Sequence, residues 1–180
     1  MEIIRLGIEG LLLIKPVVYE DERGYFFESF KSPLYEELGL VTSFVQDNES
    51  MSHKNVIRGL HFQNPPFAQG KLVRVVHGSV LDVALDIRKN SKTYGKWHAV
   101  VLTSQNKLMY WIPEGFAHGF CSLEDNTILT YKCTNLYDKE SEGCIYWNDP
   151  DLAINWQTSS PVVSAKDNQG ILFKDFQSQF

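Results

Sequence analysis

The chain has 180 residues, 43% of them hydrophobic, and carries 17 basic against 22 acidic residues for a formal net charge of −5. A chain of this length fits one domain that buries roughly 70% of its unfolded surface, so a core needs neither disulfides nor a structural metal. The acidic balance argues against a nucleic-acid partner, which would need a broad basic face, and the short apolar run Leu11–Ile14 is neither a membrane span nor a signal-peptide core.

Short β-type runs dominate. Leu11–Val18 is apolar and β-branched, and Pro16 suits it to a sheet edge. Gly24–Phe30 reads as an aromatic strand. Ser32 and Pro33 open the one helix, with Ser32 as N-cap and Gly39 as the stop. Strand signals follow at Ser43–Asp47, Val56–Phe62, Lys71–His77, Ser79–Arg88, Trp97–Thr103, Lys107–Ile112, Gly119–Leu123 and Thr127–Thr134. Turn chemistry separates them, at His77-Gly78, around Asn90, at Ser104–Asn106 and at Glu124–Asn126. Many short strands with regular turns predict an all-β sandwich or barrel. The tail after Tyr146 is looser and is expected to wrap the barrel and deliver a residue to its mouth.

Side chains alternate faces along a strand. Ile57, Gly59, His61 and Gln63 therefore share one face, and Arg58 takes the other. Arg58 and His61 can serve one site only if the strand bulges, and Gly59 is the place for it.

His61 and His118 stand out among the five histidines, because apolar or aromatic residues flank both. Each is either a satisfied core histidine or an acid, base or ligand. His53, His77 and His98 have no context that raises them above surface or packing residues. Metal-binding β-barrels commonly use an HxH pair, and here Gln63, a poor ligand for divalent metals, fills the second position. No metal is expected. Cys121, Cys133 and Cys144 form no close pair and read as reduced core thiols of a cytoplasmic protein. Metal-free acid–base work needs a base and a returning acid. His61 can be the base, Asp167 can fix its tautomer, Tyr131 can supply a proton and Lys71 can steady an enolate oxygen. Spacing alone does not join them. Arg23 is either an exposed turn residue or a phosphate clamp, since no glycine-rich phosphate loop is present. Asp82 and Asp86 share a strand face and read as a solvated or hydrogen-bonded pair rather than a catalytic one.

Several stretches together resemble one family. DERGYFFESF (21–30), VIRGLHFQ (56–63), QGKLVRVVHGSVLDVALDIR (69–88), WIPEGFAHGF (111–120), WNDPDLAINW (147–156) and SAKD (164–167) are similar to the dTDP-4-dehydrorhamnose 3,5-epimerases, cupin-type enzymes of the rhamnose pathway. The resemblance runs nearly end to end. It implies a cupin jelly roll, an antiparallel β-sandwich with a few short helices, spanning residues 1–180 as one domain. It also implies a homodimer with an exchanged N-terminal strand, a dTDP-sugar substrate and no cofactor. By the same resemblance His61 is the proton acceptor, Asp167 its partner, Tyr131 the proton donor and Lys71 the enolate stabiliser. Gln46, Asn48, Arg58, His118, Glu142 and Lys166 are implied to contact substrate. Arg23 and Glu28 are implied to reach the nucleotide from the neighbouring subunit, and Phe26 and Tyr137 to pack on it. The chain departs from the family pattern at His77, where Arg is common, and at Gly170, where Pro often follows. The implied reaction inverts C3 and C5 of dTDP-4-dehydro-6-deoxy-D-glucose through an enolate. Mono-epimerases of the same group, metal-dependent cupins and a non-catalytic sugar-nucleotide binder are the rival readings.

Overall fold

A computed structural model describes residues 1–37, 39–40 and 43–180. Fourteen strands and one short helix carry the fold among them: β1 (Glu2–Arg5), β2 (Leu12–Lys15), β3 (Tyr19–Asp21), β4 (Gly24–Phe26), α1 (Ser32–Glu36), β5 (Gln46–Ser52), β6 (Val56–Gln63), β7 (Lys71–His77), β8 (Ser79–Asp86), β9 (Trp97–Thr103), β10 (Met109–Ile112), β11 (Phe116–Ser122), β12 (Thr127–Cys133), β13 (Glu142–Cys144) and β14 (Val162–Val163).

Two sheets face each other. The first runs β1-β2-β10-β7-β12-β5, the second β13-β6-β11-β8-β9, with β14 added beside β6. All pairings are antiparallel except β14 with β6. This is the expected jelly-roll sandwich. Its inner core takes one parity of each strand: Val73 and Val75 of β7, Val80 and Ala84 of β8, Leu129 of β12 and Phe120 of β11. The other parity of β8, with Leu81, Val83 and Leu85, is roofed from outside by Leu152, Trp156, Phe173, Phe176 and Phe180. The tail does wrap the sandwich, held by apolar side chains worth up to about 1.5–3 kcal/mol each on full burial. Because both faces are covered, all eight residues of β8 are buried.

Several boundaries differ from expectation. The aromatic run leaves β structure after Phe26, where Phe27–Phe30 turns away to let Phe30 pack on Tyr35 and Phe44. The helix is capped at Lys31 rather than Ser32, whose hydroxyl instead donates to Glu36 at 2.7 Å inside the first turn. The predicted strand at Ser43–Asp47 begins only at Gln46 and continues to Ser52. β1 pairs with β2 of its own chain, while β3 and β4 form a separate hairpin with exposed Tyr19, Tyr25 and Phe26.

β6 carries the anticipated bulge. His61 lies opposite His118 and Arg58 opposite Phe120, so two residues of β6, Gly59 and Leu60, face the single Gly119 of β11. The inserted residue restores parity, and Arg58 and His61 point the same way. Gly59 has φ +135° and the Gly59–Leu60 peptide is cis. A Cβ on Gly59 would lie 2.4 Å from the Gly119 Cα, and one on Gly119 would lie 2.8 Å from the Arg58 carbonyl oxygen. Only two glycines let these backbones approach so closely.

Candidate active site

A cavity of about 600 Å³ opens between the two sheets. The second sheet supplies Arg58, His61 and His118 to one wall, and the first supplies Gln46, Asn48, Lys71 and Tyr131 to the facing wall. Glu142, Lys166 and Tyr137 stand around the same space, and Asp167 borders it. Ten of the twelve residues singled out from sequence thus meet in one place.

The tail delivers Asp167 as anticipated. β14 lays the chain alongside β6, and a 3-10 turn at Asp167–Gln169 follows at once. Asp167 is 3% exposed and accepts from His61 Nε2 at 2.7 Å and from the Gly59 N–H at 3.2 Å. The Ser164 hydroxyl oxygen accepts from the Asp167 N–H at 3.0 Å, fixing the turn. Burial pushes this carboxyl up, but the His61 bond and charge, the Gly59 N–H and Ser164 together hold it below its ordinary value. An ionised carboxylate only accepts, so His61 Nε2 carries the proton and Nδ1 keeps its lone pair. Nδ1 has no hydrogen-bond partner among the described residues, which leaves it as the basic atom.

Tyr131, on β12, faces this dyad from the other sheet. Burial, with the neighbouring Cys133 adding, raises its phenol above the ordinary value against smaller pulls from Asn48 and Arg58. The phenol therefore keeps its proton at neutral pH. Lys71 lies with its ammonium 6.0 Å from the Tyr131 ring centroid. Burial lowers its pKa, opposed by the charges of Cys133, Asp82 and Glu142, and it makes no ion pair among the described residues. In its protonated form this unpaired lysine is a ready receptor for a developing oxyanion.

The mouth is a linked polar chain. Lys166 donates to Glu142 at 2.6 Å and the Tyr137 hydroxyl donates to its second oxygen at 2.9 Å. Burial pushes Glu142 up, but these two donors and the Lys166 charge bring it below its usual value. Gln46 accepts from the Tyr137 N–H at 2.9 Å and donates to Asn48 at 3.0 Å. Arg58 reaches across to β5, donating to Ser52 Oγ and to the Met51 carbonyl, both at 3.1 Å.

Arg23 and Glu28 are the two that do not arrive. Arg23 pairs with Asp21 at 2.6 Å on the exposed β3–β4 hairpin, and Glu28 pairs with Lys31 at 3.0 Å. Phe26 is exposed on the same hairpin, outside the cavity. Of the two alternatives for Asp82 and Asp86, a solvated or a hydrogen-bonded strand face, the structure has the hydrogen-bonded one. Both are fully buried, because β8 is covered on both faces. Asp86 accepts from Arg88, Ser91 and Thr93 at 2.6–2.9 Å. Asp82 takes the His118 Nε2–H on both oxygens, at 2.9 and 3.0 Å. It is the functional residue that sequence reasoning passed over. Its signal was an acid set in an otherwise apolar LDVALDI run, which demands a buried partner.

Among the described residues one set of side chains has metal-ligand character: His61, Cys144 and Asp167 offer donor atoms within 4.8 Å of one another. His61 and Asp167 are committed to each other, and burial together with the Asp167 charge pushes the Cys144 thiol up to about 12, far from thiolate.

A jelly-roll cavity with an oriented histidine on one wall, a neutral phenol on the other and a desolvated lysine beside it is built to move protons on and off carbon next to a carbonyl. That defines a cupin-type epimerase. The model for the dTDP-4-dehydrorhamnose 3,5-epimerase family matches residues 5–175, and the chain belongs to that family. It is 53% identical to the Escherichia coli K12 dTDP-4-dehydrorhamnose 3,5-epimerase over 94% of this chain and 92% of that one. The crystal structure of a 3,5-epimerase from Legionella pneumophila in complex with dTDP-4-keto-L-rhamnose superposes with a TM-score of 0.94 at 48% identity, covering 98% of this chain and 94% of that one. A 3′-monoepimerase from Streptomyces bikiniensis in complex with dTDP-quinovose is more distant, at 31% identity and TM-score 0.88, covering 93% of this chain and 85% of that one.

Proposed function

We propose that the chain converts dTDP-4-dehydro-6-deoxy-D-glucose to dTDP-4-dehydro-L-rhamnose by inverting C3 and C5, in dTDP-L-rhamnose synthesis. The observation that carries this is the placement of the His61–Asp167 dyad and the Tyr131 phenol on opposite walls of one cavity. A sugar ring between them has one face toward a base and the other toward an acid.

The C4 ketone acidifies the protons on C3 and C5. His61 Nδ1 takes one, while Asp167 stabilises the resulting imidazolium through Nε2–H. Charge moves onto the C4 oxygen, where the Lys71 ammonium meets it; losing one such donor costs about 2.7–4 kcal/mol in comparable anion holes. Tyr131 then gives its proton to the opposite face of the carbon, which inverts it. Each acid–base role contributes about 10²–10⁴-fold. The resulting phenolate and imidazolium exchange protons with water, and the cycle repeats at the second carbon. The remaining residues hold the substrate: His118 braced by Asp82, Arg58, Gln46 and Asn48 line the walls, and Glu142 and Lys166 hold the mouth. Tyr137 packs on the nucleotide.

Turnover in D₂O is the test. Deuterium at both C3 and C5 of the product supports the proposal; no incorporation sinks it, and label at only one of the two carbons makes the chain a mono-epimerase.

The protein works as a homodimer in the cytoplasm, where its three free thiols stay reduced. The exposed aromatic hairpin with Arg23, and Glu28 beyond it, supports a subunit that lends these residues to its partner's nucleotide. Co-expressing Arg23→Ala with His61→Asn tests this. Sharing in trans returns about a quarter of the sites to wild-type composition, whereas a site complete within one chain regains nothing.

A further inference from the structure

Gln63 stands where a metal-binding β-barrel would place a histidine, and the mechanism leaves it unused. It is 5% exposed, at the end of β6 and beside the cavity. Its carboxamide is fully spent. Nε2 donates to the Phe67 carbonyl at 2.5 Å and to the Leu136 carbonyl at 3.1 Å, and Oε1 accepts from the Asp138 N–H at 2.8 Å. The two Leu136 and Asp138 contacts bracket Tyr137. Across β13, Gln63 is also paired in register with Glu142, which holds the Tyr137 hydroxyl.

Gln46 also meets this segment, its Oε1 accepting from the Tyr137 N–H at 2.9 Å, and other anchors lie upstream. Gln69 donates to the Asn135 carbonyl at 2.8 Å, and Asn135 donates to the Pro66 carbonyl at 3.2 Å. These tie the start of the loop, whereas Gln63 is the buried side chain that reaches past it to both sides of Tyr137. Tyr137 itself is 53% exposed, so packing does not hold its backbone in place.

We propose that Gln63 is a positioning residue, a buried amide clasp that fixes the segment carrying Tyr137 and so sets the affinity for the nucleotide half of the substrate. This rests on the function proposed above. It assigns Gln63 no part in proton transfer: the clasp acts on binding, through Tyr137, and leaves the His61–Tyr131 chemistry alone.

The test uses Gln63→Glu, nearly isosteric but unable to donate to two carbonyls, and Gln63→Leu, which keeps bulk without charge in case the first does not fold. Losing two buried hydrogen bonds in Gln63→Glu, or all three in Gln63→Leu, is expected to raise KM by about 10- to 100-fold with kcat within about threefold of wild type. Amide exchange at Asp138 should quicken in Gln63→Leu, which removes the acceptor of that N–H. The double variant Gln63→Leu/Tyr137→Ala should show a KM no higher than Tyr137→Ala alone, because the clasp acts through that ring. A KM for both Gln63 variants within about twofold of wild type, a fall in kcat with KM unchanged, or additive effects in the double variant each overturn the clasp. Wild-type protein that turns over no keto-sugar, yet shows faster Asp138 exchange in Gln63→Leu, overturns the proposed function while leaving the clasp as a loop anchor without that role in affinity.

Discussion

Asp167→Asn is the most informative single change. In the wild type one ionised carboxylate satisfies two donors, His61 Nε2–H at 2.7 Å and the Gly59 N–H at 3.2 Å. A carboxamide has one acceptor atom for both. The Gly59 N–H is backbone and cannot turn away, so the Asn oxygen is drawn to it and the NH₂ group is aimed at His61. Nε2 must then accept, its proton moves to Nδ1, and the basic lone pair disappears from the cavity. The opposite rotamer leaves a buried N–H unsatisfied, at about 1–3 kcal/mol, which is about 5- to 150-fold in favour of the wrong tautomer. Losing the charge-assisted bond to the imidazolium removes about 1.5–3 kcal/mol more. The two effects together predict a loss of about 10³-fold, about one order of magnitude short of the roughly 10⁴-fold seen for the corresponding change in serine proteases. The assay is proton NMR of C3–H and C5–H exchange in D₂O, with dTDP affinity measured alongside to confirm an intact cavity. Exchange within tenfold of wild type, with affinity retained, would refute the tautomer argument.

Tyr131→Phe removes the acid and leaves the base, so inversion should fall by about 10²–10⁴-fold while C–H exchange persists; equal loss of both would make Tyr131 structural. Asp86 is held down to about 2, because Arg88, Ser91 and Thr93 together outweigh the opposing effect of burial, which is the largest single influence. Its depressed pKa stabilises the fold by about 2 kcal/mol above pH ~4, and this is lost as pH falls through about 2. Thermal melts of Asp86→Asn should therefore show a lower Tm at pH 7 and a flatter acid limb; an unchanged pH dependence contradicts this. Gly119→Ala sets a Cβ 2.8 Å from the Arg58 carbonyl oxygen and 3.1 Å from the Gly59 Cα. Backbone cannot swing aside, so a cost of about 1–3 kcal/mol and a Tm lower by several degrees are expected. A variant with wild-type Tm would show that the bulge tolerates a methyl group.

The strands were legible where alternation and turns agreed. Lys71–His77 and Trp97–Thr103 fall on β7 and β9 without adjustment. The edge pieces were not: β3, β13 and β14 have three, three and two residues, too short for a periodic signal. Gly24–Phe30 misled because its aromatic residues serve two masters, a hairpin up to Phe26 and a ring cluster at Phe30. In the site, the parity conflict between Arg58 and His61 forecast a bulge at Gly59, since period two leaves no other way to unite them. Asp82 was missed for the opposite reason: its face is read from strand parity, but its burial depends on the tail covering the far side of β8. Gln63 was read only as a ligand that is absent. Its three bonds go to loops whose course no local pattern gives.

The dyad joins residues 106 positions apart. During synthesis the base on β6 leaves the ribosome long before its carboxylate exists. Until that carboxylate arrives the cavity lacks the partner that fixes the His61 tautomer. Docking of the last segment, fastened by β14 and by the Gly59 N–H, is what switches that cavity on. Competence is thus tied to the segment that carries Asp167, and a product cut short before it would lack both the carboxylate and the apolar cover that Phe173, Phe176 and Phe180 lay over β8.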